Sequence, residues 1–425
     1  MSVVMKTGWT FFVALRFLLG RAKEGGRYLR GAAAGIALSL VPIIVTLIVA
    51  DGMIQGITDR FIELGTGHLQ VYDFSGEHEL DTLVPRIEKI EGVRGVWYER
   101  QGLGVIAGPD GRRGATIRSV DPSFWTDAGS AAYLTSLAGS SYPQTDQEVV
   151  LGQSLAGEIG AAVGDTVRIM TIRNIEGRPV PRITAFTVAG IVSSGYRELD
   201  ALWCISSRGG GDRALGETTG RPYLIVKIDD PYRKAGIFSM DLQRMLGPGC
   251  VVYTWGDLHQ AQYRSYESTR QLLIFIMALI VIVAAVNVSS ATSMLALERQ
   301  RDIAVLKAAG AGPGETGAVF VLASLLTGLT GAVSGIGLGL FLGININPII
   351  HGLERILSFF STLFRGAEVK ILDPGYYLEN IPVIVDWPAV LLIGLFTVLC
   401  AIAASWIPAR RAGKLRPLDL FRKNQ

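Results

Sequence analysis

Two stretches of this 425-residue sequence carry residue types that chemistry needs. In Gly152–Ala156, GQSLA, Ser154 stands where a nucleophile elbow holds its serine, but Ala156 replaces the second glycine. A serine hydrolase also needs a positioned histidine, and no motif around the four histidines supplies one. The stretch reads as a strand-to-helix turn. His68, Glu77, His78, Glu79 and Asp81 form the second, a loose polar cluster. Metal sites space their ligands more tightly, so it reads as a solvated loop with no metal. A phosphate-cradling G-x-x-x-x-G-K-[ST] is missing, since the glycine-rich GAGPGETG at 310–317 lacks the lysine. Any ATP must therefore be bound by another polypeptide. In the segment from Asp51 to Arg270, no interleaving of basic residues with aromatics suggests nucleic acid. The chain reads as a non-enzyme with no cofactor of its own.

The elements around these residues explain why. Hydrophobic residues make up 49% of the chain and charged ones 18%, too apolar for an ordinary soluble protein of this length. Four runs are long enough to cross a bilayer: Gly31–Ala50, Gln271–Leu297, part of Thr316–Ile350, and Trp387–Ala409. Lys6, Arg16, Arg21, Lys23, Arg27 and Arg30 precede the first run. Arg299, Arg301 and Lys307 separate the second and third, and Arg410, Arg411, Lys414, Arg416, Arg422 and Lys423 follow the last. Lys and Arg near span ends stay on the cytoplasmic side, which puts both termini and the charged island inside. The segment His351–Asp386 has the opposite bias and faces out. A long basic leader, an apolar run of spanning length and no A-x-A site favour a retained anchor over a cleaved signal peptide.

The fold class expected is an α-helical membrane protein with four transmembrane helices and a large α+β extracytoplasmic domain between helices 1 and 2. The parts are a cytoplasmic amphipathic N-terminus (1–30), helix 1 (31–53), the domain (54–268), helix 2 (269–297), a cytoplasmic helix (298–314), helix 3 (315–346), an outward loop (347–386), helix 4 (387–409) and a cytoplasmic tail (410–425). Strand-like EVVLG, DTVRIMTI, AFTVAGIV and PYLIVKI alternate with helix-like DTLVPRIEKIEGV and IFSMDLQRML inside the domain. Cys204 and Cys250 both fall there, and spacing alone leaves a disulfide open. Gly331, Gly335, Gly339 and Gly343 repeat every fourth residue, a smooth stripe on which another helix can pack closely in lipid.

The charged island ERQRDIAVLKAAGAG begins at Glu298. Glu298 and Asp302 lie one helical turn apart, ringed by Arg299, Arg301 and Lys307, while Ile303 and Leu306 supply a small apolar ridge and Gly310 suits a C-terminal cap. This pattern resembles the cytoplasmic coupling segment of the FtsX-like, MacB-type permease family of ABC transporters, E-R-x-R-[DE]-I-A-[IV]-L-[RK]-A-x-G-A. WIPARRAGKLRPLDLFR at Trp406–Arg422 resembles the family's C-terminal signature. EVVLGQSLAGEIGAAVGDTVRIM and FTVAGIVSSGYRELDA resemble its extracytoplasmic domain. VALRFLLGRAKEGGRYL near the N-terminus and LDPGYYLENIPVIVDWPAV at Leu372–Val390 are similar to the Lol-type lipoprotein-releasing branch.

The resemblance implies a multi-pass permease of the bacterial inner membrane. Its partners would be a cytoplasmic ABC ATPase dimer, which binds the ATP and Mg, a second permease subunit of the same or related kind, membrane lipids and a lipoprotein substrate. The island helix would pass ATPase motion to the spans. A protruding hairpin that recruits a periplasmic lipoprotein carrier in one Lol type would fall at IRNIEGRPVPRIT, around Arg178, Pro179, Val180 and Pro181, but this sequence departs from it and leaves carrier binding open. Acyl chains would enter near Val49, Met53, Ile54, Ile57 and Phe61, whose Met53–Ile57–Phe61 stripe has helical spacing. Periodicity equally allows that stripe to pack the domain. The alternatives are MacB-type mechanotransmission for efflux or envelope signalling, and a membrane-anchored sensor domain without an ATPase.

Overall fold

The computed structural model describes residues 10, 12–15, 26–76, 79–175, 178–216, 219–363, 378 and 381–414. Most of the expected N-terminal amphipathic segment, Glu77 and His78, residues 372–377, 379 and 380 of the Lol-like Leu372–Val390 stretch, and the tail after Lys414 lie outside these residues. The chain divides into two compact units. One comprises 1–52, 267–356 and 382–425, and the other comprises 53–266 and 357–381.

The helices that bear on function are α1 (Gly26–Arg60), α2 (Gln260–Glu298), α3 (Gln300–Ala308), α4 (Pro313–Ile344), α5 (Ile346–Leu363) and α6 (Trp387–Lys414). Among the described residues, four helical stretches are long and apolar enough to cross a membrane: α1 with the π-helical turn after it, α2, α4 and α6. In the helical unit, α1 meets α4 along the glycine stripe. Ile36, Leu40, Ile44 and Ile48 of α1, Met277 and Val281 of α2, Ala332 of α4 and Val390 of α6 share one apolar cluster. Buried hydroxyls are satisfied locally, as in membrane helices generally: Thr292 and Ser324 bond each other at 2.9 Å across α2 and α4.

The segment expected as the loop 347–386 is helical over Ile346–Leu363 instead. Asn345 ends α4 with φ −97° and ψ 22°, and the chain re-enters a helix at once. The apolar run therefore continues across the break, which conceals the boundary in sequence.

The other unit is α+β and built on one ten-stranded sheet. Its strands are β1 (Leu69–Asp73), β2 (Val93–Ala107), β3 (Arg112–Val120), β4 (Thr135–Gly139), β5 (Glu148–Gly152), β6 (Thr166–Ile175), β7 (Arg178–Ser193), β8 (Trp203–Ser207), β9 (Pro222–Ile228) and β10 (Cys250–Thr254). They run in the order β10-β1-β9-β2-β3-β8-β5-β7-β4, with β6 paired to β2 and β7. Two apolar clusters divide the sheet into lobes. Ile117, Val149, Leu151, Leu155 and Phe186 centre one. Leu69, Val71, Leu224, Val226 and Leu242 centre the other, covered by the helices Leu80–Ile87 and Pro231–Leu246.

Cys204 on β8 and Cys250 on β10 are both free thiols. Five strand spacings separate β8 from β10 in the sheet, about 24 Å at about 4.8 Å each, far beyond disulfide reach. Ser154 lies at the start of the helix Gln153–Ile159, just after β5. A Cβ at Gly152 would meet the Asp200 carbonyl oxygen at 2.1 Å, so the glycine serves close backbone approach at this strand-to-helix turn.

Candidate functional site

The glycine stripe lies against the first span of the same chain. A Cβ at Gly331 would be 2.8 Å from Ile36 Cβ, at Gly335 2.9 Å from Ala37 Cα, at Gly339 2.7 Å from Ile44 Cβ, and at Gly343 2.5 Å from Ile48 Cδ1. Only glycine lets α1 and α4 approach so closely. A second copy of the chain therefore does not meet this face.

Beside that contact, Leu47 of α1, Ile274, Met277, Ala278 and Val281 of α2, and Ala389, Leu392, Ile393 and Phe396 of α6 line an apolar cavity of about 250 Å³. Arg270 is its one polar wall. The guanidinium pairs with Asp51 of α1 at 3.0 Å and with Asp386 at 2.8 Å. Asp386 also accepts from the Ala389 N–H at 3.2 Å and so caps the start of α6. One cation thus ties three apolar helices together at the mouth of the cavity. The sequence held a signal for this, since Asp51, Arg270 and Asp386 each stand at one end of an apolar run.

The charged island forms α3, with Arg299 at its N-cap. Gly310 closes it at φ +97°, and the Ala311 and Gly310 N–H groups donate to the Leu306 and Lys307 carbonyls. Arg299 pairs with Asp302 at 2.9 Å, and Lys307 Nζ donates to the Gly413 carbonyl of α6 at 2.6 Å. The apolar ridge expected from Ile303 and Leu306 needs correction. Ile303 is 1% exposed and belongs to a core with Leu295, Val319, Phe320 and Ala409, and Leu306 is half-buried. Val305, 66% exposed, is the outward apolar residue of α3, and Arg301 of α3 and Leu297 and Glu298 at the end of α2 are exposed as well. The helix turns this way because α2, α4 and α6 offer an apolar cleft that Ile303 fills.

The stripe Met53–Ile57–Phe61 also needs correction as a gate. Ile57 is buried, and Met53 and Phe61 pack with it into an aromatic cluster containing Trp97, Phe124, Tyr196, Trp203 and Tyr223. Phe61 stacks edge-on against Tyr196 at 6.0 Å. Val49 and Ile54 are half-buried on the same helix. The stripe packs the α+β unit, the other role its spacing permits.

Just beyond Phe61 the helix loosens into a π-helical turn, Phe61–Thr66. Glu63 on this turn accepts from Lys227 Nζ at 2.5 Å and pairs with His68 Nε2 at 2.9 Å. His68 Nδ1 accepts from the Ile228 N–H at 2.8 Å, so the proton sits on Nε2 and the ring is neutral. Burial holds both His68 and Lys227 below their ordinary values, with Glu63 opposing in each case. His68 is thus absorbed in a buried network, and Asp81 pairs with Arg208 at 2.7 Å. No group of three His, Cys, Asp or Glu able to hold a metal occurs among the described residues.

Arg178, Pro179, Val180 and Pro181 begin β7, which pairs antiparallel with β6 from Ile175↔Arg178 to Thr166↔Thr187. Two prolines without N–H groups, Pro179 and Pro181, stand in the exposed strand end of this hairpin. Ile172, Val180 and Ile183 are exposed on it, and Leu103, Met170, Pro179 and Pro181 frame an apolar groove there.

The sequence is similar to known proteins along most of its length. Residues 31–235 match the family profile of the MacB-like periplasmic core domain, and residues 274–417 match that of the FtsX-like permease C-terminal domain. The lipoprotein-releasing system transmembrane protein LolC of Neisseria meningitidis is 25% identical over 425 residues, covering 97% of this chain and 98% of that protein. LolC of Xylella fastidiosa is 25% identical over 416 residues, covering 96% and 98%. The related LolE of Haemophilus influenzae is 22% identical over 427 residues, covering 97% and 98%. Between them the two profiles span most of the chain, the first ending at residue 235 and the second beginning at residue 274, within α2. The chain belongs to the FtsX-like, MacB-type permease family of ABC transporters.

Proposed function

We propose that this chain is the permease subunit of an ABC transporter that draws lipoproteins out of the outer leaflet of the bacterial inner membrane. The full-length similarity to lipoprotein-releasing proteins supports this reading. The cavity between α1, α2 and α6 carries it. An acyl chain moved through water would expose CH₂ groups at about 0.8 kcal/mol each, so an extracted lipoprotein must keep its chains against apolar walls. The cavity offers such walls, and its single charged residue stands at one end, where a chain's polar head would remain.

In this reading both termini and α3 are cytoplasmic and the α+β unit is periplasmic, between the first and second spans. A separate ATPase dimer binds ATP and Mg and supplies the work, and a second permease, the same or related, completes the complex. The exposed residues Arg301 and Val305 of α3, with Leu297 and Glu298 at the end of α2, seat on the ATPase. Ile303 and the Lys307–Gly413 bond tie α3 to the spans, so displacement at α3 reaches α2, α4 and α6. The Arg270–Asp51–Asp386 cluster holds the three cavity helices together until that displacement separates them. The exposed apolar side of the β6–β7 hairpin takes a periplasmic carrier.

Photo-crosslinkers at Met277 and Ile393 on the cavity wall and at Leu329 on the exposed side of α4 test the reading. Capture of an acylated lipoprotein at the first two positions and little at Leu329 is expected. Equal capture at all three, or none at the cavity positions, overturns it.

A further inference from the structure

Helix α5 is built the wrong way round for water. Ile349, Leu353, Ile356 and Leu357 form one stripe at helical spacing, and all four are exposed, Ile356 to 55%. Asn347, Glu354 and Ser358, on the other side, are half-buried together with Ile350, while His351 and Arg355 are exposed. A surface helix of a soluble protein hides its apolar stripe and wets its polar side.

What covers the stripe can be read from its surroundings. Only Asn345 separates α5 from α4, and the last turn of α4 already presents Phe341 and Ile344 as exposed apolar side chains. The apolar outer surface of a membrane-spanning helix thus runs on into the α5 stripe with a single polar residue between. The stripe itself is entirely Ile and Leu, without the Tyr, Trp or Arg anchors that enrich protein contacts. The charged side chains over this stretch are Glu354 and Arg355, of opposite sign, with His351 beside Glu354 at 3.3 Å. An amphipathic helix of modest charge that continues from a span has the character of an element lying in the bilayer interface.

We propose that α5 is a membrane-surface helix whose Ile349–Leu353–Ile356–Leu357 face sinks into the headgroup and acyl boundary of the leaflet where α4 ends. It would hold the end of α4 at that depth and extend the chain's apolar contact sideways into the leaflet. The inference concerns lipid contact by α5 alone and holds on whichever side of the membrane that end lies.

The test uses the full chain in vesicles of phosphatidylethanolamine and phosphatidylglycerol, in a Cys400→Ser background, since Cys204 and Cys250 are buried. Leu353→Cys, Ile356→Cys and Arg355→Cys each receive an environment-sensitive fluorophore, and lipids with a nitroxide near the headgroup serve as quenchers. Blue-shifted, quenched emission at 353 and 356, with red, unquenched emission at 355, is the expected result. Red, unquenched emission at all three positions overturns the proposal, because the stripe then faces water. Blue-shifted but unquenched emission at 353 and 356 overturns it too, because a protein, such as a second copy of the chain, then covers the stripe.

Discussion

Replacing Gly335 and Gly337 in turn by leucine separates close helix contact from every other effect of the substitution. The two positions share a helix and are two residues apart. A Cβ at Gly335 would lie 2.9 Å from Ala37 Cα, Ala37 O and Leu40 Cβ, while one at Gly337 meets nothing within 4 Å. The Gly335 contacts are backbone atoms and a Cβ, which cannot swing aside as a side-chain tip can. Overpacking a close contact costs up to about 3 kcal/mol, and leucine exceeds glycine by about 0.8 kcal/mol in helix propensity. Gly337→Leu is therefore expected to be neutral or slightly stabilising, and Gly335→Leu to lose about 2 kcal/mol. Unfolding of the purified chain in mixed micelles by titration with sodium dodecyl sulfate, followed by circular dichroism, reads the difference. Equal midpoints for the two variants would refute the idea that the stripe holds α4 against α1. Because the stripe faces its own chain, folded Gly335→Leu protein should still recover its partner subunits.

Val305→Asp should leave membrane levels unchanged and lower ATPase co-purification, whereas Ile303→Asp should lower membrane levels, since an unpaired acid in that core costs several kcal/mol (roughly 3–5); loss of ATPase from neither variant would remove α3 as the coupling element. Burial holds His68 below 6.5, so the unfolded chain binds its proton first as pH falls. Stability contributed by the neutral ring is complete above that value and declines below it, by at most about 1.4 kcal/mol per pH unit. Thermal unfolding of the α+β unit within the full chain should show this slope as pH falls below roughly 6.5, flattened in His68→Gln, and an unchanged slope in that variant would contradict the assignment. Ile172→Asp on the exposed hairpin should reduce pull-down of a periplasmic lipoprotein carrier without altering ATPase binding, and carrier recovery at the level of the unsubstituted protein would argue that the groove has another use.

The four apolar runs were enough to locate four helices of spanning length, because hydrocarbon thickness acts on local composition. Strand-like pieces such as EVVLG and PYLIVKI became β5 and β9 for the same reason, short β-branched runs between glycine and proline breaks. Faces were harder to read. Ile303 and Val305 are both β-branched residues on one short helix, and which of them turns inward depends on a cleft made by three distant helices. The Met53–Ile57–Phe61 stripe has one periodicity for two roles, and only the aromatic cluster around it decides between them. Arg270 meets Asp51 across 219 residues and Asp386 across 116, a juxtaposition that no local pattern encodes. Helix α5 was hidden because apolar residues on both sides of Asn345 run together as one segment.

The most direct measurement is release of an acylated lipoprotein from proteoliposomes that hold this chain, its second permease and the ATPase. ATP should free the acylated protein to a carrier in solution, and Ala278→Trp, which fills the cavity beside Met277, should abolish release while leaving the complex assembled. Release that proceeds undiminished in Ala278→Trp, or equal retention of lipoprotein with and without ATP, would contradict a permease that draws acyl chains between α1, α2 and α6.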